Sequence, residues 1–388
     1  MSGIAQTTFP GSRWVSPPGE VELLDAAELA PGFKAAGVAC GIKRGSTDLA
    51  LVACEADAVA SGLMLTANAS AAAPVRVCRE RADSGAISAA VINSGNANAA
   101  TGEQGYLDAL AMRDAAAAAL AIKPERVAVA ETGVIGVPLQ LDAIRRGIDG
   151  VAAVLDPAGG LEFARAIMTT DRAPKALTVR SEGVTVSAQA KGAGMIEPGF
   201  ATMLCFVQTD AVLGDPQAAL RRAVASSFER ITVDGQMSTN DTVLLQATGE
   251  SGRELPARLL ESILLELALE IVADGEGASR VGRVMVSEAA SAPEAERVAR
   301  AIANSPLVKT ALHGRDPNWG RIAQAAGMAL AGEELVELGP DRIDAAELGA
   351  DSPEAEIAIR LGRGDGTAHV YFSDLTPEYV RVNAHYTS

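Results

Sequence analysis

Along this chain, short apolar segments bounded by turn residues alternate with longer runs of helix formers that carry an apolar face, and this alternation constrains the fold more than any other feature. After a Pro-rich arm (Pro10, Pro17, Pro18, Pro31), DLALVACEA and AISAAVINSG read as buried strands. From Gly102 to Ile122 helix formers run up to a Lys-Pro stop, which predicts a helix laid on that sheet. LEFARAIMTTD reads as a helix end, VTVSAQA as an alternating strand, TMLCFVQTDAVL as a buried strand and PQAALRRAVASSFERI as a helix. LPARLLESILLELALEIVADGEG predicts a long helix ending at Gly275, and APEAERVARAIANSP a shorter one stopped by Pro306. The class is therefore α/β or α+β in stacked layers. No repeat, heptad or low-complexity linker marks a flexible boundary.

With 388 residues, 48% of them hydrophobic, the chain can fill one large core or two lobes. Its 33 basic side chains face 49 acidic ones, a formal charge of −16, so a face that neutralises nucleic-acid phosphates or anionic lipid is not expected. The beginning of the sequence has neither a basic nor an apolar leader region, and no apolar run reaches membrane-span length, which predicts a cytoplasmic protein. Cys40, Cys54, Cys78 and Cys205 form no CxxC pair and only three histidines accompany them, so reduced, buried thiols and no metal cluster are expected.

The segment with chemical potential is KGAGMIEPGFATMLCFVQTDA, where a Gly-rich loop runs into a buried apolar strand at Thr202. Read locally, Thr202 is a β-branched residue opening a strand. A threonine hydroxyl needs a base to become nucleophilic, and no histidine lies near in sequence. Attack of Thr202 on the Ala201 carbonyl followed by ester hydrolysis would free the α-amine of Thr202. With an ordinary pKa of about 7.7 to 8.0, that amine could serve as the base.

KGAGMIEPGFATML resembles the signature of the ornithine acetyltransferases, or glutamate N-acetyltransferases, of arginine biosynthesis. Similar blocks follow in family order: GFKAAGVACGIKRGSTDLAL (32 to 51), VINSGNANAATGEQG (91 to 105), AETGVIGVPL (130 to 139), IMTTDRAPK (167 to 175), SSFERITVDGQMSTND (226 to 241), VADGEGASRVGRV (272 to 284), SPLVKTALHGRDPNWGRI (305 to 322) and YVRVNAHYTS (379 to 388). Departures from the usual pattern are Gly199-Phe200, Ala193, Arg280 and Leu65.

The resemblance implies a layered αββα sandwich and autocatalytic cleavage between Ala201 and Thr202. The products would be an alpha chain, 1–201, and a beta chain, 202–388, sharing one catalytic unit within a heterotetramer of two of each. It implies ping-pong transfer of acetyl from N-acetylornithine to glutamate through an ester on Thr202. No bound cofactor is implied, and acetyl-CoA is left open as a second donor.

The resemblance places the oxyanion hole at Thr132 and Gly133, the glycine admitting substrate closely. Substrate contacts fall on Lys191 as the cation for a carboxylate, on one of Thr169 and Thr170, on Glu276 for an amino group, and on Asn383 and Ser388 in a tail folded over the pocket. His385 reads as an exposed residue, and Lys309 and Arg321 as structural ion-pair partners. The alternative is an N-terminal-nucleophile amidohydrolase or aminopeptidase of the same architecture, in which water accepts the acyl group.

Overall fold

The computed structural model describes residues 11–56, 58–197 and 203–385. Strands are β1 (Glu22–Leu23), β2 (Phe33–Val38), β3 (Leu49–Cys54), β4 (Ala60–Leu65), β5 (Ala89–Asn96), β6 (Val127–Val134), β7 (Lys175–Ser181) and β8 (Val184–Lys191). Then follow β9 (Leu204–Thr209), β10 (Ile231–Thr232), β11 (Thr242–Ala247), β12 (Val281–Ala289), β13 (Ile343–Asp344), β14 (Glu354–Arg360) and β15 (Gly366–Ser373). The helices are α1 (Ala73–Arg81), α2 (Gly102–Ala119), α3 (Leu141–Ala152), α4 (Gly160–Ile167) and α5 (Pro216–Ala225). The last five are α6 (Leu259–Ala273), α7 (Ala292–Ala303), α8 (Pro306–Gly314), α9 (Trp319–Ala329) and α10 (Pro377–His385).

A four-stranded sheet, β2-β3-β5-β6, packs against a six-stranded sheet, β1-β7-β8-β9-β11-β4. The alternation along β9 explains the layers: Leu204 and Phe206 join the core shared with the smaller sheet, while Cys205 and Val207 join the core under α5 and α6. Helices α2 and α3 cover the smaller sheet, giving the αββα arrangement, and α4 is wedged between the sheets, touching β2 and β8. Phe163 of α4 meets Phe206 edge-on, with ring centroids 5.3 Å apart.

A third sheet, β10-β15-β12-β14-β13, forms a lobe with α7, α8 and α9 and has its own apolar cluster. Tyr371 ties this lobe to the sandwich core and lies against Trp14, the two rings tilted with centroids 5.3 Å apart. The SPLVKTALHGRDPNWGRI block builds α8 and the start of α9 here, not a binding loop.

Local signals explain the element ends. The helix predicted over Gly102 to Ile122 stops at Ala119, because Ala121 turns to φ 54°. The long helix begins at Leu259, after Arg258 at φ 64°, and not at Leu255. Asp215 and Ser291 cap α5 and α7 by accepting from the N–H groups of Ala218 and Glu294.

Two expectations need correction. Cys78 and Cys205 are buried, but Cys40 and Cys54 are only half-buried, since Cys40 lies in the loop after β2 and Cys54 is the last residue of β3. Lys309 and Arg321 pair with no carboxylate among the described residues. The Lys309 ammonium donates to the Ser373 carbonyl and lies over the Phe372 ring, and Arg321 donates to the Leu307 carbonyl at 2.9 Å. Chain carbonyls are what α8 and β15 present to these two side chains.

Candidate active site

A cleft opens where β6 and β8 end between the two sheets. Thr132, Gly133, Thr169, Thr170, Lys191, Glu276 and Asn383 all line it. Thr202, Ala201 and Ser388 lie outside the described residues. The register nevertheless ties the chain near Thr202 to this cleft, because Lys191 of β8 is paired with Leu204 of β9.

Lys191 is the buried pole, only 2% exposed. Its ammonium donates to the Thr169 hydroxyl at 2.7 Å and more loosely to the Thr132 hydroxyl at 3.4 Å. An ammonium accepts nothing, so Thr132 receives in that bond and its own O–H remains free to donate. The MTTD threonines thus differ: Thr169 is held by Lys191, whereas Thr170 lines the cleft without that tie.

Behind Lys191 stands Asp171, 4.0 Å away and 2.8 Å from the Lys175 ammonium. Its oxygens also accept from the N–H groups of Gly192, at 2.7 Å, and Thr169, at 3.0 Å. Burial opposes ionisation of this carboxyl, but Lys191 and Lys175 outweigh it and hold the pKa down at about 2. Burial lowers the Lys191 pKa, with Asp171 opposing. Lys175 reaches across to Asp274, 2.6 Å away and just past α6, anchoring the network in the larger sheet's helical layer.

Thr132 and Gly133 sit at the end of β6. Gly133 has φ 134°, and a Cβ there would lie 2.3 Å from the Gly95 carbonyl carbon. The glycine therefore permits the close approach of β5. The neighbouring strand ends are fastened by Asn240, whose amide donates to the carbonyls of Ala97 at 2.6 Å and Glu131 at 2.8 Å.

The opposite side of the cleft is acidic. Glu276 follows α6 in the DGEG turn, and its N–H donates to Ala193 at 2.8 Å. Asn383 of α10 donates to the Glu276 carboxylate at 2.8 Å. The tail folds back onto this turn through Thr376, which donates to the Gly277 carbonyl at 2.7 Å. Gly277, at φ 72°, admits the helix closely, since a Cβ would fall 2.4 Å from the Tyr379 nitrogen. His385 is exposed.

Asp234 adds a second carboxylate to the lining. It accepts from the N–H groups of Met195 at 2.7 Å and Ile196 at 2.9 Å, and burial raises its pKa. Asp241 is fully buried and accepts at 3.2 Å from the N–H of Met203, where the described chain resumes.

Sequence reasoning passed over Asp171, Asp234, Asn240 and Asp241. Each lies inside a quoted block, IMTTDRAPK or SSFERITVDGQMSTND, and a signal existed in their clustering of side-chain acceptors and amides with no apolar period.

A family model described as the ArgJ family matches residues 34–388. The chain is 43% identical to the arginine biosynthesis bifunctional protein ArgJ of Symbiobacterium thermophilum, covering 94% of this chain and 100% of that protein. It is 41% identical to the protein of the same name from Thermosynechococcus vestitus, covering 95% and 99%. Among solved structures, the ornithine acetyltransferase of Mycobacterium tuberculosis complexed with ornithine is 41% identical, covers 46% of this chain and 98% of that chain, and superposes with a TM-score of 0.44.

Proposed function

The chain belongs to the ArgJ family, and from that membership we propose that it moves acetyl from N-acetylornithine to glutamate in the cleft between its two sheets. It is an acetyltransferase of arginine biosynthesis. The observation that carries the substrate reading is the polarity of the cleft, with buried Lys191 at one side and Glu276 with Asp234 at the other. N-acetylornithine has the matching polarity, an α-carboxylate and a side-chain ammonium.

The chain is cut between Ala201 and Thr202, and the freed α-amine of Thr202 takes the hydroxyl proton as Oγ attacks the acetyl carbonyl. The oxyanion is met by the Thr132 hydroxyl, left free to donate by Lys191, and by the Gly133 N–H. The C–N bond breaks, the proton passes to the departing ornithine amine, and acetyl remains as an ester on Thr202. The α-amine of glutamate then attacks that ester and restores the hydroxyl.

Acetyl-CoA serves as a second donor to the same ester, the two fragments stay together as a heterotetramer, and the enzyme works in the cytoplasm. Among the described residues no helix is long and apolar enough to cross a membrane.

Intact mass should give two chains, 1–201 and 202–388, and Thr202→Ala a single chain without transfer. Incubation with N-acetylornithine and glutamate should yield N-acetylglutamate and ornithine. Free acetate with no N-acetylglutamate would overturn transfer in favour of hydrolysis.

A further inference from the structure

Glu131 is a fully buried carboxyl group that the proposed chemistry leaves unused. It precedes Thr132 on β6, and alternation along the strand sends the two side chains to opposite faces. Thr132 meets Lys191 in the cleft, whereas Glu131 points behind the strand toward the start of α2. There Oε1 accepts from the Asn98 amide at 2.9 Å and Oε2 from the Asn93 amide at 2.5 Å. Asn98 in turn donates to the Gly105 carbonyl at 2.9 Å, binding the carboxyl group to α2, and Asn93 belongs to β5. The Glu131 carbonyl is fastened by Asn240, so the peptide leading into Thr132 is held from its side chain and its backbone at once.

Resting on the oxyanion assignment above, we propose that Glu131 is a positioning residue for the oxyanion hole: its ties to Asn93, Asn98 and Asn240 fix where the Thr132 hydroxyl and the Gly133 N–H point. The bulge between β5 and β6 at Gly95 and Asn96 lies beside Gly133, so β-ladder bonds alone do not hold this strand end straight. A carbonyl aimed a fraction of an ångström wrong weakens the donors that a developing oxyanion needs.

The group need not be charged to do this. Burial pushes its pKa up to about 8, against the two amide donors that favour the charged form. The Asn93 Oδ1 has no partner among the described residues, so turning that amide offers an acceptor to a protonated carboxyl or to a glutamine in its place. Glu131→Gln therefore preserves both side-chain ties, whereas Glu131→Leu keeps roughly the volume and removes both.

Steady-state kinetics on the cleaved enzyme test the idea. We expect Glu131→Leu to lower kcat about 30-fold with KM for N-acetylornithine within about threefold, and Glu131→Gln to restore kcat to within about threefold of wild type. Equal loss in both variants, or a Leu variant that melts earlier but turns over normally, would overturn the proposal. Should Glu131→Leu fail to fold, Asn93→Leu removes one tie and should lower kcat about fivefold at unchanged KM, and an unchanged kcat there overturns it equally. Wild-type enzyme that makes no N-acetylglutamate would instead overturn the transferase reading on which the proposal stands.

Discussion

The two sides of the cleft are built differently. On one, Lys191 is buried, bonded to two threonine hydroxyls and backed by Asp171, which is itself tied to Lys175 and two backbone N–H groups. On the other, Glu276 is held by its turn and by Asn383, an exposed side chain on the terminal helix. A buried charge without its partners costs several kcal/mol, so the first side tolerates one arrangement only. A half-exposed acid is screened and can change partner cheaply. That suits a site whose two substrates share an α-carboxylate but end in side chains of opposite charge.

On this contrast the largest effect belongs to Lys191. Lys191→Met should lower kcat/KM about 10²- to 10³-fold, the loss of one or two charge-assisted hydrogen bonds of about 1.5 to 3 kcal/mol each. A loss below tenfold would break the comparison.

Asp171→Asn should come next, reducing kcat/KM about 10- to 50-fold, since an uncharged side chain leaves two lysines without their shared counter-ion. Its pH signature is also distinctive. The folded pKa is depressed to about 2 from an ordinary 3.8, so the carboxylate contributes stability above pH 4 that is lost as pH falls through 2. In urea titrations the gap between wild type and variant should stay constant from pH 7 to about 4 and shrink below that. A gap that instead widened on acidification would contradict the ion network.

The rim should respond least. Glu276→Gln is expected to raise KM for N-acetylornithine about tenfold with kcat within about threefold, and Asn383→Ala to raise it about two- to threefold. Equal effects on kcat and KM would mean that the rim is as preorganised as the buried side.

Much of this site was legible in the sequence, for physical reasons that differ by residue. Thr132, Gly133, Lys191 and Glu276 were named through the resemblance of their short blocks to a known family, and the fold brings all four to one cleft. Glu131 was not legible, because on a strand reading it is one acidic residue after VAVA, and only burial behind the sheet gives it partners. Asn240 likewise needed the fold, since it clamps carbonyls at Ala97 and Glu131, more than a hundred positions away. The half-buried state of Cys40 and Cys54 and the carbonyl partners of Lys309 and Arg321 escaped for the same reason.

By itself the sequence determined the alternation of elements and the layered class, because these depend on propensity and periodicity within a few residues. The tertiary structure decided which of two adjacent threonines binds Lys191, that Thr132 faces the cleft while Glu131 faces the asparagines behind β6, and which acids pair with which lysines. Those choices rest on directional bonds a few ångströms long between groups far apart in the chain, and no local pattern encodes them.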